Sequence, residues 1–253
     1  MISLSILALG SLTERARSSC LAAFGHGAGA AERARMERLR REEDRLSYRL
    51  SHGFLRLVLA AEAGQAPEDF VIMASPNGKP VCPGGPYFNM SHAGDYMVVA
   101  MSREREVGVD VEVTPLSQGT AEPVAMAISD EDRPLLPFLA ERQDHAETML
   151  WSIKEAALKL TGDVMVDPGH VAVRRAGKGM FRVEPSRAAR APIHDAFVRQ
   201  IRLDEQHVLS LATYEPVPLS QIAEAPECWR GPPVPNISRR TAQLAGCSTE
   251  LSL

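Results

Sequence analysis

Two acidic residues in one short stretch are spaced so that they could bind a metal ion together. Asp110 and Glu112 alternate with valines within residues 107–113. Residues two apart on a strand point to the same face, so the two carboxylates would repel each other unless a cation lay between them. A divalent cation that prefers oxygen ligands, such as Mg²⁺, suits such a pair. The stretch alone is equally compatible with the solvent face of an antiparallel strand.

A second stretch, residues 151–159, predicts a helix with one carboxylate and one ammonium group on the same side. Glu155 and Lys159 are four residues apart, which places them one turn from each other. The apolar face of this helix is formed by Leu150, Ile153, Ala157 and Leu160. The carboxylate could hold a metal ion and the ammonium could meet a phosphate. Taken alone the pair is more typical of a surface salt bridge, but the acidic pair upstream favours the functional interpretation.

Three further residues could contact a phosphate. Lys79 lies in a run of turn residues, Ser75–Pro80, and Ser91 and His92 lie between two predicted strands. A hydroxyl, an imidazole and the backbone N–H groups around them can all donate hydrogen bonds to phosphate oxygens. The sequence around Ser91 contains neither a Gly-x-Ser-x-Gly motif nor a nearby cysteine, so a nucleophilic triad is poorly supported.

A basic helical region precedes these residues. Residues 31–41 carry five arginines, at positions 33, 35, 38, 40 and 41, interleaved with glutamates. Most of them are expected to form a solvated helix face. One or two could reach a phosphate, because the guanidinium group donates two parallel hydrogen bonds.

The elements that must position these residues alternate between helical and extended patterns. We predict strands at residues 1–10, 70–73, 95–101 and 107–113, helices over residues 30–60 and 148–161, and hairpins at residues 170–183 and 196–214. Gly162 is expected to end the central helix. The pattern predicts an N-terminal lobe at residues 1–106, a C-terminal lobe at 107–215 and an irregular or disordered proline-rich tail at 216–253. Residues 30–100 and 115–215 each run from helices to strands, which suggests a weak duplication.

Composition limits the classes of function. The chain has 253 residues, a formal net charge of −4 and a pI near 6.0, which argues against a general nucleic-acid-binding protein. No apolar run approaches the roughly 20 residues of a membrane-spanning helix. The four cysteines are far apart and the apolar start has no basic flank, so a reducing, cytoplasmic location is predicted.

Four stretches in this order, residues 77–80, 88–92, 107–112 and 151–159, resemble the 4′-phosphopantetheinyl transferase superfamily. The resemblance is to the larger, two-lobed type and covers roughly residues 30–215. It implies an α+β fold with two similar lobes, each a small antiparallel sheet with helices, and an active site in the cleft between them. It also implies Mg²⁺-dependent transfer of phosphopantetheine from coenzyme A to a serine of an apo acyl or peptidyl carrier protein, by a monomer that binds neither nucleic acid nor membrane.

The resemblance also implies roles for individual residues. The metal ligands would be Asp110, Glu112 and Glu155, and the catalytic residues would be Glu155, Lys159 and Asp110. The contacts to coenzyme A would come from Lys79, Ser91, His92, Lys154, Lys159 and Arg35. Trp151 is expected to be a packing residue, and the role of Asp132 is left open. The turn at residues 162–164 departs from the Gly-x-Gly that often follows the last lysine of the family.

Two other classes of function stay open. A degenerate relative could bind coenzyme A or a carrier without transferring anything. A different Mg²⁺-dependent nucleotide enzyme is less compatible, because the chain has neither a phosphate-binding P-loop motif nor a Gly-x-Gly-x-x-Gly turn. For docking of a carrier, the candidate is an apolar patch formed by Leu116, Val124, Met126 and Ile128.

Overall fold

The computed structural model describes residues 1–115, 124–162, 166–187, 189 and 194–224. Its helices are α1 (Glu14–Gly27), α2 (Ala30–Glu37), α3 (Glu42–Ala63), α4 (Leu136–Leu139) and α5 (Gln143–Thr161). Its strands are β1 (Ile2–Ala8), β2 (Met73–Ala74), β3 (Pro80–Val81), β4 (Tyr87–Ala93), β5 (Tyr96–Ser102), β6 (Gly108–Val113), β7 (Val171–Gly177), β8 (Met180–Pro185), β9 (Ala196–Arg202), β10 (His207–Thr213) and β11 (Ile222–Glu224).

The strands form two main sheets and one short hairpin. The N-terminal sheet has the order β11-β1-β5-β4, the C-terminal sheet has the order β6-β10-β9-β8-β7, and β2 pairs with β3. All pairings are antiparallel except the one between β1 and β11. Small antiparallel sheets with helices confirm the predicted α+β class. The predicted duplication of two similar lobes around a cleft stays a prediction.

Alternation along the strands arranges the core in layers. On β5, Met97 and Val99 pack with buried residues of α1 and α3, whereas Val98 and Ala100 pack against the valines of β6. The far side of the C-terminal sheet packs on the apolar face of α5, formed as predicted by Leu150, Ile153, Ala157 and Leu160. The order is therefore helices, sheet, sheet, helix. Side chains of β6 that alternate with its valines must face α5.

The central helix ends where the sequence predicts. Gly162 follows α5 with a φ of 77°, in the left-handed region that glycine adopts without steric cost, and its N–H caps the Leu158 carbonyl. The first strand and both C-terminal hairpins are also confirmed. Of the predicted strand at 70–73, only Met73 is in a strand, β2, while Phe70 is buried in the loop before it.

The predicted boundary of the tail is wrong in one place. Residues 222–224 form β11, which extends the N-terminal sheet by parallel pairing with β1. Val217 and Ile222 are buried in the layer between the two sheets, so these apolar side chains fix a segment that otherwise looks irregular. Residues 225–253 lie outside the described part. Among the described residues, no helix is long and apolar enough to cross a bilayer.

Candidate active site

The candidate site lies where β6 crosses α5. Asp110 and Glu112 are on the strand, and Glu155 and Lys159 are on the helix. Gly108 makes this crossing close: a Cβ atom there would lie 2.2 Å from the Ala156 carbonyl oxygen and 2.5 Å from the Leu160 nitrogen. Glycine therefore lets the strand and helix backbones touch. The close crossing brings the carboxylates of one element beside the charged face of the other.

Asp110 is the most enclosed carboxylate of the site, with 2% of its surface exposed. Its Oδ1 accepts a hydrogen bond from Lys159 Nζ at 2.6 Å and one from Ser91 Oγ at 3.0 Å. Its Oδ2 is buried and has no hydrogen-bond partner within the described residues. An ionised carboxylate oxygen buried without a partner is costly, so this atom indicates a site built for a further ligand.

Ser91 brings the N-terminal sheet into the same site. It lies on β4, and its Oγ accepts a hydrogen bond from Lys159 Nζ at 3.2 Å while donating to Asp110. The neighbouring Asn89 accepts the Val109 N–H at 3.0 Å, which satisfies part of the open edge of β6. The sequence prediction that Ser91 belongs to the site is consistent with this geometry, although its described contacts are to the protein.

The carboxylates influence each other's ionisation. Burial, followed by the nearby Asp110 charge, raises the pKa of Glu112 to about 7. Burial also raises the pKa of Glu155, with Asp110 adding to the effect and Lys159 opposing it. In both cases burial is the larger cause and the neighbouring charge is the smaller one.

The ammonium group of Lys159 is held charged by the same cluster. Burial alone would lower the pKa of Lys159, but the Asp110 charge and hydrogen bond, together with Glu155 and Glu112, raise it. Its side chain is 26% exposed, so the ammonium is reachable from solvent while it contacts the buried carboxylate. The site therefore has both negative and positive groups ready for a charged ligand.

The predicted Mg²⁺ ligand set is compatible with this chemistry but is not preformed. Within the described ranges, no three histidine, cysteine, aspartate or glutamate side chains are placed to hold a metal ion together. Lys159 occupies one oxygen of Asp110 instead. The unpartnered Asp110 Oδ2 and the raised pKa values of Glu112 and Glu155 are what a hard divalent cation would relieve.

Comparison with known proteins gives matches over about half of the chain. The chain is 37% identical over 134 residues to the 4′-phosphopantetheinyl transferase psf-1 of Bacillus pumilus. The matched residues cover 52% of this chain and 56% of that protein. It is 28% identical over 138 residues to the 4′-phosphopantetheinyl transferase HetI of Nostoc sp., covering 52% and 58%. The uncharacterized protein YieE of Escherichia coli is 32% identical over 108 residues, covering 41% and 42%. No protein-family profile matches.

Over the matched part, the chain is similar to proteins named 4′-phosphopantetheinyl transferases. The chain spans about half the length of the curated relatives it matches. Similarity of this extent supports the resemblance seen in the four motifs.

Trp151 is more than the packing residue that the sequence predicts. Its indole Nε1 donates a hydrogen bond to Glu112 Oε1 at 3.1 Å, and the side chain is partly exposed. A donor that fixes one oxygen of a carboxylate orients the other, and such partners tune metal ligands. Trp151 and Glu155 are four residues apart, so the helix spacing could have indicated that the indole shares the charged face.

We expect Trp151→Phe to weaken Mg²⁺ binding by roughly 10-fold, because the ring is kept while the N–H donor to Glu112 is lost. Isothermal titration of the purified protein with MgCl₂ measures the affinity. Trp229→Phe, which changes a tryptophan outside the described residues, is the comparison variant. Equal affinity in the two variants would show that the indole is only a packing group.

Lys154 does not reach the charged cluster, which corrects its predicted contact with coenzyme A. Its Nζ donates to Asp132 Oδ2 at 2.7 Å, to the Ala127 carbonyl at 2.7 Å and to the Pro168 carbonyl at 3.0 Å. All three N–H groups are thus used inside the core, where burial lowers the pKa of this lysine. One residue along a helix rotates a side chain by roughly 100°, so Lys154 and Glu155 point to different surroundings.

Asp132, whose role the sequence left open, is the counter-charge of this network. It is fully buried, and its Oδ1 accepts the Val173 N–H at 2.9 Å. Its Oδ2 accepts from the Ser129 hydroxyl and N–H as well as from Lys154. The pair therefore ties α5 to β7 and to the loop before α4. Lys154 lies between Leu150 and Ala157 of the apolar helix face. This position is the sequence feature that could have shown that Lys154 is buried.

We expect Lys154→Met to lower the free energy of unfolding by about 3 kcal/mol, because it leaves the Asp132 carboxylate buried without its cation. Urea denaturation followed by circular dichroism measures this. At temperatures where the variant is folded, its KM for coenzyme A should equal that of the unaltered protein. A raised KM with unchanged stability would restore the predicted ligand contact.

The other predicted coenzyme A contacts, from His92, Arg35 and Lys79, lie in three different parts of the fold. His92 follows Ser91 on β4 and so points to the opposite face, where it is exposed. Arg35 is exposed on α2. Lys79 Nζ donates to the Leu160 carbonyl at 2.7 Å and to the Val107 carbonyl at 3.3 Å. The contacts of His92 and Arg35 with coenzyme A stay predictions, whereas Lys79 already has partners in the protein.

The predicted docking patch for a carrier is largely absent from the surface. Val124 is buried and Ile128 packs against the core around α5. Met126 is 79% exposed, and Leu116 lies outside the described residues. Of the predicted patch, Met126 is the side chain that the described structure leaves available to a partner.

Proposed function

We propose that the protein is a phosphopantetheinyl transferase of the larger type, which moves the 4′-phosphopantetheine group of coenzyme A to a serine of an apo carrier protein. Adenosine 3′,5′-bisphosphate would be the second product. The observation that carries the proposal is the cluster at the crossing of β6 and α5, where Asp110 keeps one buried oxygen without a partner beside a charged lysine. The activity named for psf-1 and HetI supports the same reaction.

Lys159 is suited to bind a phosphate of coenzyme A. An ammonium group has three N–H donors, and two of them donate to Asp110 and Ser91. The third can donate to a phosphate oxygen from the exposed side. Because Asp110 and Ser91 fix the ammonium in place, little reorganisation is needed when charge develops on the leaving phosphate.

The side chains that would hold Mg²⁺ are Asp110, through Oδ2, and Glu112 on β6, together with Glu155 on α5. When bound there, the ion would supply Lewis-acid stabilisation of charge on the pyrophosphate. Trp151 would keep Glu112 oriented through its indole N–H. Glu112 and Glu155 both have raised pKa values without a cation, and binding one would favour their ionised forms.

Glu155 is proposed to act on the serine of the carrier. Its carboxylate lies one helical turn from Lys159 on α5, so it could accept a proton next to the ammonium group that meets the phosphate. The proton of the serine hydroxyl moves to Glu155, directly or through one water molecule. The serine oxygen then forms a bond to the phosphorus that carries the pantetheine arm. The bond from this phosphorus to the bridging oxygen of the pyrophosphate breaks, and the bisphosphate leaves.

The test is the mass of an apo carrier protein after incubation with the full chain, coenzyme A and Mg²⁺. We expect the carrier to gain one phosphopantetheine group, and a carrier whose acceptor serine is changed to alanine to gain nothing. Addition of EDTA should stop the reaction. Binding of coenzyme A with an unchanged carrier mass, across acyl and peptidyl carriers, would instead indicate a binding module. The pathway served, a monomeric state and a cytoplasmic location stay predictions.

A further inference from the structure

Lys79 links the two elements that carry the candidate site. It lies in the turn between β2 and β3, and its side chain is 12% exposed. Nζ donates to the carbonyl of Leu160, the residue after Lys159 on α5, at 2.7 Å. It also donates to the carbonyl of Val107, directly before β6, at 3.3 Å. A single ammonium group therefore joins the C-terminal end of α5 to the start of β6.

Both acceptors have a physical need for this donor. The last carbonyl groups of a helix have no partner within the helix, and a cation near them also interacts favourably with the helix dipole. Val107 lies just outside β6, so its carbonyl is not part of the described pairing of β6 with β10. The turn that presents the lysine is itself fixed, because the Lys79 N–H donates to Ser75 Oγ at 3.0 Å and the Ser75 N–H donates to the Lys79 carbonyl at 2.8 Å.

This link lies where the backbones of β6 and α5 are in close contact. At Gly108, next to Val107, an added Cβ would lie 2.5 Å from the nitrogen and 2.8 Å from the Cα of Leu160. Glycine permits the contact but cannot hold it in register, because it has no side chain. Lys79 donates to the residues on both sides of that contact, so it supplies what the glycine lacks.

We propose that Lys79 is a positioning residue that sets the register between α5 and β6, and thereby places Glu155 and Lys159 against Asp110 and Glu112. This inference rests on the proposed function for its kinetic consequence, but the structural consequence holds without it. A direct contact with coenzyme A is the competing role. Two of the three N–H groups of Lys79 already donate to backbone carbonyls, and Glu106 Oε2 lies 3.7 Å away as a further partner.

The experiment compares Lys79→Met with Lys178→Met, a change of an exposed lysine in the turn between β7 and β8. In Lys79→Met, amide hydrogen exchange at residues 158–162 should be about tenfold faster in the absence of any ligand. Mg²⁺ affinity should fall roughly 10-fold, since a supporting contact of the ligand set is lost. The turnover number should fall at least about tenfold, with little change in the KM for coenzyme A. Lys178→Met should match the unaltered protein.

Two further measurements separate the outcomes. Lys79→Arg should recover part of the exchange protection and turnover, because a guanidinium can also donate to two carbonyls. Reductive methylation of the unaltered protein measures how accessible each lysine side chain is. The chain has only four lysines, so each can be followed separately by mass spectrometry. Lys178 should react quickly, and Lys79 should resist.

The inference is overturned if Lys79 reacts as fast as Lys178. It is also overturned if Lys79→Met raises only the KM for coenzyme A and leaves exchange at residues 158–162 unchanged. If the unaltered protein transfers nothing to any carrier, the proposed function fails. The exchange and methylation results still decide the positioning role in that case.

Discussion

Replacing Glu155 with glutamine should lower the rate of carrier modification by at least about 10³-fold while leaving the protein folded. The change removes one proposed metal ligand and the proposed base in a single step, and general base catalysis alone is typically worth roughly 10²- to 10⁴-fold. The glutamine side chain has nearly the same shape. Burial and Asp110 already oppose the charge of Glu155, so losing that charge should cost little stability. Single-turnover mass spectrometry of the carrier measures the rate.

The matched control is Glu147→Gln on the same helix, where the carboxylate receives a hydrogen bond from Gln143 at 2.7 Å on the exposed side. This variant should keep full turnover. Near-normal turnover in Glu155→Gln would remove Glu155 from the mechanism and leave its raised pKa as a consequence of burial alone.

Replacing Asp110 with asparagine should have the second largest effect, a fall in turnover of roughly 10³-fold together with loss of measurable Mg²⁺ binding. Asparagine keeps an oxygen that can accept from Lys159 and Ser91, so the local packing should survive. The buried Oδ2 is replaced by an NH₂ group, which cannot bind a cation. The folded state is checked by circular dichroism, and Mg²⁺ binding by isothermal titration.

Asp130→Asn is the control for this change, because Asp130 is an exposed aspartate whose described ion pair, with Arg133, is also exposed. It should leave both Mg²⁺ affinity and turnover unchanged. An Asp110→Asn variant that still binds Mg²⁺ with unaltered affinity would show that the ion, if required, is held elsewhere.

The parts of the site that depend on strand and helix periodicity could be predicted from the sequence. Alternation with valines placed Asp110 and Glu112 on the face of β6 that meets α5, and the four-residue spacing placed Lys159 beside Glu155. Both rest on side-chain directions that the backbone geometry dictates. Similarity to a family added the expectation that strand and helix converge, which periodicity alone cannot give.

The hydrogen bonds made by the terminal groups of individual side chains could not be predicted in the same way. Lys154 and Lys159 are both lysines of one motif, yet one donates within the core to Asp132 and the other faces the cluster. The hydrogen-bond partners of Lys79 are two backbone carbonyl groups that become neighbours only after folding. β11 pairs with β1 across most of the chain, and such long-range pairing leaves little local pattern.

Asp110, Glu112 and Glu155 are proposed to bind one divalent cation next to the pyrophosphate of coenzyme A. Crystals grown with coenzyme A and Mn²⁺ test this proposal most directly, because the anomalous signal of manganese locates the ion without reference to the protein. We predict one peak within about 2.2 Å of oxygens from all three carboxylates and of the pyrophosphate. A manganese ion bound by coenzyme A alone, or by other residues, would show that these three carboxylates do not form the metal site.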